Sequence, residues 1–218
     1  MKKLRFLNLS IIFALVATMF AGIAKADAIL ITSKSPKSPG HNSIISQDEY
    51  GKWHYFFWGH SASYEQEVPS KYMKNINTFN EWLYKQKKDG TKPKKSYSFY
   101  TRATYIRGDF SETTKYYKKK IRSHSTLRYY LGLNFCSVIS RKALEKGTLG
   151  DGTSFKDLLE SNEDFCDYIP FYDYFPVNLH NLVDKSVKDT VYEGLPYWGI
   201  VTNPQIIEKM KGSNTSSS

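Results

Sequence analysis

Cysteine is nearly absent, with two residues in a chain of 218, Cys136 and Cys166. Two thiols allow a single disulfide at most, and an even pair in an oxidising compartment first suggests that bridge. Together with the five histidines, His41, His54, His60, His124 and His180, they match no zinc-ligand spacing, so no metal and no other cofactor is expected. Beyond the N-terminal segment no stretch is apolar enough to span a membrane. No internal repeat and no nucleic-acid-binding motif is present, which argues against a nucleic-acid partner.

The N-terminus carries what the rest lacks. "MKKLRF" is basic, "LNLSIIFALVATMFAGIA" is apolar, and "AKADA" supplies small residues where a signal peptidase cuts. A signal peptide over residues 1–26 is expected, with cleavage after Ala26 or Ala28. No lipobox cysteine accompanies it. The mature chain then works outside the cytoplasm, as a secreted, periplasmic or cell-envelope protein with no integral span. The formal charge of the whole chain is +10; losing Lys2, Lys3, Arg5 and Lys25 gives 10 − 4 = +6. A basic exported protein is drawn to anionic envelope polymers and membrane surfaces, and the same charge aids solubility.

About 190 residues remain, which suits one domain over 27–211 ahead of a polar tail, 212–218. Aromatics make up 16% of the chain, pointing to a strongly β core or a groove that stacks on substrate. "AILITSK" reads as a strand. "HNSIISQ" and "KWHYFFWG" form a hairpin around "DEYG". A helix follows in "NTFNEWLYKQKK", with Thr78 and Glu81 at capping-box spacing, and then a Tyr- and Thr-rich strand in "SYSFYTRATYIRG". "SETTKYYKKKIRSH" reads as a helix capped by Ser111 with a wet lysine face. A helix opens at Cys136, with Ile139 and Ala143 on the same side. "TSFKDLLESN" is a helix with Ser154 and Asp157 in box spacing, and "VNLHNLVDK" is another. Strands and helices come in blocks, so the fold class is α+β. Residues 148–175 read as an insertion that includes Cys166 and an aromatic loop, Tyr168–Phe175.

Cys136 at a helix start is where a thiol pKa falls and where backbone N–H groups can hold an oxyanion. A base must reach it. His41 follows a Pro-Gly turn at the first residue of its strand, which presents it at a sheet edge. If the hairpin turn centres on Glu49 and Tyr50, His41 faces Trp58. His60 then lies diagonally near His41 on the same face and orients it. His54 shares that face but lies roughly 13 Å along the strand.

"GH" opening a hairpin, then a helix and a strand, then "Y-x-L-x-x-N-x-C" opening a helix at Cys136 resembles the circularly permuted papain-like fold. That superfamily includes permuted relatives of the NlpC cell-wall cysteine hydrolases and lecithin retinol acyltransferase-like enzymes. The likeness is nearest to a group of secreted bacterial proteins, and it covers Gly40 to Gly147, extending toward Val177. It implies an antiparallel sheet with a Cys-bearing helix packed against it, Cys136 as nucleophile and His41 as base. The implied activity is amide hydrolysis in a cell-envelope peptide, or acyl transfer, or a lipid amidase reaction. Phe135 stands between Asn134 and Cys136, where members often have Asn directly before the cysteine. A Cys136–Cys166 disulfide would instead leave a non-catalytic envelope-binding protein.

Overall fold

A computed structural model describes residues 25–35, 38–60, 62–88, 100–124, 135–163 and 176–187. Residues 1–24 of the expected signal segment, Cys166, the aromatic loop and the polar tail lie outside the described residues, whereas Ala26 is buried, its N–H donating to the Gly108 carbonyl at 3.0 Å. Five strands form one antiparallel sheet: β1 Ala28–Ser35, β2 Ser38–Gln47, β3 Trp53–Trp58, β4 Ser63–Val68 and β5 Arg102–Ile106, in the order β4-β3-β2-β1-β5. A two-stranded ladder pairs β6, Gly108–Asp109, with β7, Thr148–Leu149. The α-helices among the described residues are α1 Ile76–Lys88, α2 Ser111–Arg122, α3 Cys136–Leu144, α4 Phe155–Asn162 and α5 Pro176–Val187. This is the expected α+β class. No helix among the described residues is long and apolar enough to cross a membrane.

The central strands are apolar on both sides, because both faces of the sheet are covered. Every residue of β3 is buried. Ile29, Ile31, Ile45, Tyr55 and Phe57 point to one face and pack on Ile76, Phe79, Trp82 and Leu83 of α1. Ala28, Leu30, Ile44, Phe56 and Trp58 point to the other, under α2, α3, α4 and α5. Aromatic side chains of the described residues fill these cores: Tyr55 meets Phe79 edge-on at 5.4 Å on the first face, and Phe56 stacks on Tyr117 at 4.9 Å on the second. The supposed insertion joins the second core, since Phe155 and Leu159 are fully buried there and the Phe155 ring lies 5.5 Å from Phe110.

Local capping differs from the expected residues by a turn or less. Asn75 and Thr78, rather than Thr78 and Glu81, make the reciprocal box at α1: the Thr78 N–H donates to Asn75 Oδ1 at 3.0 Å and the Asn75 N–H to Thr78 Oγ1 at 3.2 Å. At α2 the acceptor is Asp109, whose Oδ1 takes the Ser111 N–H, so Ser111 is capped rather than capping. Ser154 does cap α4, accepting from the Asp157 N–H at 3.4 Å.

The β2–β3 turn sets what the faces carry. Asp48 and Lys52 close it through the Asp48 N–H to the Lys52 carbonyl, leaving three residues in the loop, with Gly51 at φ 75°. A three-residue loop ending in a left-handed glycine is a standard hairpin closure. Asp48 Oδ1 fixes it by accepting from the Tyr50 and Lys52 N–H groups, both at 2.9 Å. The register is therefore Ile44 opposite Phe56 and Gln47 opposite Trp53, one residue away from the pairing expected for a two-residue turn.

Candidate active site

That single-residue shift moves His41 to the α1 face. Its ring lies 4.8 Å from Phe57 and 6.5 Å from Tyr100, and Phe57 and Tyr100 both belong to the α1-side core. His41 is also buried rather than edge-presented, because β2 starts three residues earlier and lies inside the sheet. Gly40 permits the approach. Its φ is 91°, and a Cβ there would stand 2.6 Å from the Ser33 carbonyl oxygen. A directed hydroxyl chain ends on the His41 ring. Tyr100 OH donates to Ser43 Oγ at 2.7 Å, so Tyr55 OH donates to Tyr100 at 2.6 Å, and Ser43 Oγ meets His41 Nε2 at 3.1 Å, with the imidazole tautomer setting which of the two donates. Burial drives the His41 pKa down to about 3, so the ring is neutral. His60 lies beyond β3, in the turn closed by the Gly59 N–H and the Ala62 carbonyl.

Cys136 is on the opposite face. It opens α3, is 4% exposed, and follows Phe135, whose backbone is extended. Ile139, Ala143 and Leu144 of the same helix pack into the second core. The helix lies along β2. Its C-terminal half is held at the Ser46 end: Thr113 Oγ1 donates to the Ala143 carbonyl at 2.8 Å, and Thr114 Oγ1 meets Ser46 Oγ at 2.7 Å. The Cys136 end therefore runs toward Asn42. Tyr117 lies beside α3, its OH 2.9 Å from Ser140 Oγ. Its pKa is raised, first by burial, and the neighbouring Cys136 adds to the rise while the Ser140 bond opposes it. The sheet thus separates the expected base, His41, from the expected nucleophile, Cys136.

The histidine on the same face and beside α3 is His180 of α5. It is fully buried in a polar chain whose direction can be worked out from its ends. A carboxylate only accepts, so the Thr104 hydroxyl donates to Asp184 Oδ1, and Arg102 pairs with Asp184 Oδ2. Thr104 then accepts from His180 Nε2–H at 2.8 Å. The bare Nδ1 accepts from Thr32 Oγ1 at 2.5 Å, and Thr32 accepts from Asn42 Nδ2 at 2.7 Å. Burial first, opposed by Asp184 and assisted by Arg102, lowers the His180 pKa to about 4. Asn42 gives its second amide hydrogen to the Pro176 carbonyl at 3.1 Å, and its fully buried Oδ1 has no hydrogen-bond partner among the described residues.

Asn42, Thr32, Thr104 and Asp184 carried no signal as a set. They come from three strands and a helix, and only the His180–Asp184 spacing of i, i+4 is visible within one segment. His54 sits at the far end of the same face, against Asp48 and Glu65, and His124 Nε2 donates to the Gly59 carbonyl at 3.0 Å. Among the described residues no group of three acidic, histidine or cysteine side chains is placed to hold a metal ion. No family model, no curated protein and no solved structure matches this chain.

Proposed function

We propose that this chain is an exported thiol hydrolase that cleaves an amide bond of a cell-envelope peptide through an acyl-enzyme on Cys136. One observation carries the reading: Cys136 is the first residue of α3 and is buried against an antiparallel sheet, where a helix N-terminus favours the thiolate. A sheet with a Cys-bearing helix packed on it is also the core of a permuted papain-like fold. The N-terminal pattern and the basic charge support export and attraction to anionic envelope polymers.

In this reading the base is His180, since His41 stands on the other face. His180 Nδ1 exchanges the Thr32 hydroxyl for the thiol proton, and Asp184, acting through Thr104, holds the ring and steadies the imidazolium. The thiolate attacks the carbonyl carbon, and the C–N bond breaks as the imidazolium returns its proton to the leaving amine. Water then cleaves the thioester. An amine or alcohol acceptor in place of water would make the enzyme an acyltransferase.

The test is turnover of peptidoglycan peptides by the mature chain. Cys136→Ala abolishes hydrolysis, His180→Gln lowers it by roughly 10²–10⁴, and His41→Gln retains it in whatever fraction stays folded. Undiminished turnover by Cys136→Ala sinks the proposal. A non-catalytic envelope-binding protein is the second reading, favoured because both ring nitrogens of His180 already have partners. It requires equal binding of envelope polymer by wild type and Cys136→Ala, with no turnover by either.

A further inference from the structure

We propose that His54 is a protonated centre of an ion cluster that ties the edge strand β4 to the β2–β3 turn, and that this makes the anchoring of that edge dependent on pH. The argument starts from the two ring nitrogens. His54 Nε2 lies 3.0 Å from Asp48 Oδ2, and Nδ1 lies 2.7 Å from Glu65 Oε1. A neutral imidazole has one N–H and one bare lone pair, and a lone pair 2.7 Å from a carboxylate is repulsive. Two carboxylates facing two nitrogens therefore require either an imidazolium or a protonated acid.

The acids have reasons to stay ionised. Asp48 Oδ1 accepts from two backbone N–H groups. Glu65 is also paired with Lys118 of α2 at 3.2 Å. The shared proton therefore belongs to His54. Its Nδ1 contact with Glu65 is off the line of a good hydrogen bond, so that side of the cluster is held by Coulomb attraction. The side chain is 7% exposed, which shields the charges from water and salt.

Every packed element adds charge. The turn contributes Asp48, Glu49 and Lys52. From β4 come Glu65 and Glu67, the latter directly across from His54 and paired with Lys52 at 3.5 Å. From α2 come Lys118 and Lys115, and Lys115 is held by Glu49 and Glu112. Burial lowers the His54 pKa, the contacts with Glu65 and Asp48 raise it, Lys118 lowers it, and the result is above the ordinary 6.5. Asp48 and Glu65 are both below their ordinary values, with burial opposing the contacts with His54.

The signs define a window. A raised histidine stabilises fully below pH 6.5 and loses that contribution as pH rises through its folded value. Depressed carboxylates stabilise above their ordinary values, 3.8 and 4.5, and lose it as pH falls through their folded ones. The cluster is intact from mildly acidic to near-neutral pH. At alkaline pH it loses its centre, and what loosens is β4, which among the described strands has only β3 as a neighbour.

The experiment follows the mature chain by NMR. The His54 Cε1–H signal is titrated after assignment with His54→Gln. Amide exchange of Ser63–Val68 is measured relative to β1 at pH 6 and pH 8.5. The expected His54 midpoint is above 6.5, and Glu65→Gln and Asp48→Asn each lower it. Protection of β4 relative to β1 falls about tenfold per unit of upward shift between the two pH values, and His54→Gln removes that dependence. A midpoint at or below 6.5 overturns the proposal, and so does β4 protection that stays constant while His54 titrates. Should His54→Gln not fold, Glu65→Gln carries the same test with a smaller change.

Discussion

The two faces of the sheet each bury a neutral histidine, and they do so differently. On the α1 face His41 sits among Phe57, Tyr100, Tyr55 and Ser43, with no carboxylate in its chain of hydroxyls. On the helix-covered face His180 is wired through Thr104 to Asp184 and through Thr32 to Asn42. The first arrangement accepts a proton only at great cost, because burial disfavours the cation and the hydroxyls beside it carry no charge. The second has a carboxylate one hydroxyl away and a direct Nε2 to Asp184 separation of 3.6 Å. A buried histidine is therefore not an active-site signal in itself; the groups behind the ring decide what it can do.

The largest expected effect tests whether chemistry belongs to one face alone. Cys136→Ala should eliminate amide hydrolysis, by at least roughly 10³-fold, while leaving the α1-face tyrosines undisturbed. Turnover of peptidoglycan peptides by wild type and variant, alongside near-UV circular dichroism, would check both halves. Loss of the tyrosine signal without loss of turnover would erase the distinction between the faces.

Acid should expose both histidines. Each has a folded pKa below 6.5, so the unfolded chain binds more protons between that value and the folded one. Stability is then complete above about pH 6.5 and falls as pH drops, by about 1.4 kcal/mol per pH unit for each buried histidine. Urea unfolding at pH 4.5, 5.5 and 7 should show this slope, and His41→Gln should remove about one proton's worth of it. A similar reduction is expected from His180→Gln. An unchanged slope in His41→Gln would mean that the α1-face ring is not buried neutral.

A third test concerns the α1 face. Asn80 is fully buried and clasps the Tyr100 backbone, donating to its carbonyl at 2.8 Å and accepting its N–H at 2.9 Å. Asn80→Leu leaves both backbone groups buried and unpaired, so it should cost about 2–4 kcal/mol in urea unfolding. The smallest effect belongs to the rim of the other face. Arg102 and Asp184 are each about a third exposed, so Arg102→Met should cost under about 1 kcal/mol, with the loss shrinking in high salt. If the two costs came out equal, the rim would be as tightly coupled to its core as Asn80 is.

Much of the frame was legible because it follows local rules. The β-branched run of β1, the paired runs of β2 and β3, the Ser154 cap and the apolar side of α3 all depend on residues within a turn or two of one another. The misplaced boxes at Asn75 and Asp109 show the limit of that legibility. Several polar residues within four positions can each accept the same N–H groups, and the winner depends on where the chain enters the helix.

The sequence alone determined that Cys136 begins a helix, that the sheet is rich in aromatic side chains, and that the class is α+β, because spacing and composition act within short stretches. Which histidine shares a face with Cys136 was decided only by tertiary structure. Side chains alternate across a strand, so one additional loop residue between Asp48 and Lys52 exchanges the faces of β3 relative to β2. His41 is carried with Phe57 toward α1, and the histidine beside α3 on the other face is His180, which arrives from a helix about 140 positions away in the chain. That placement comes from packing α5 onto β1, β2 and β5, a contact between distant segments that no local pattern encodes.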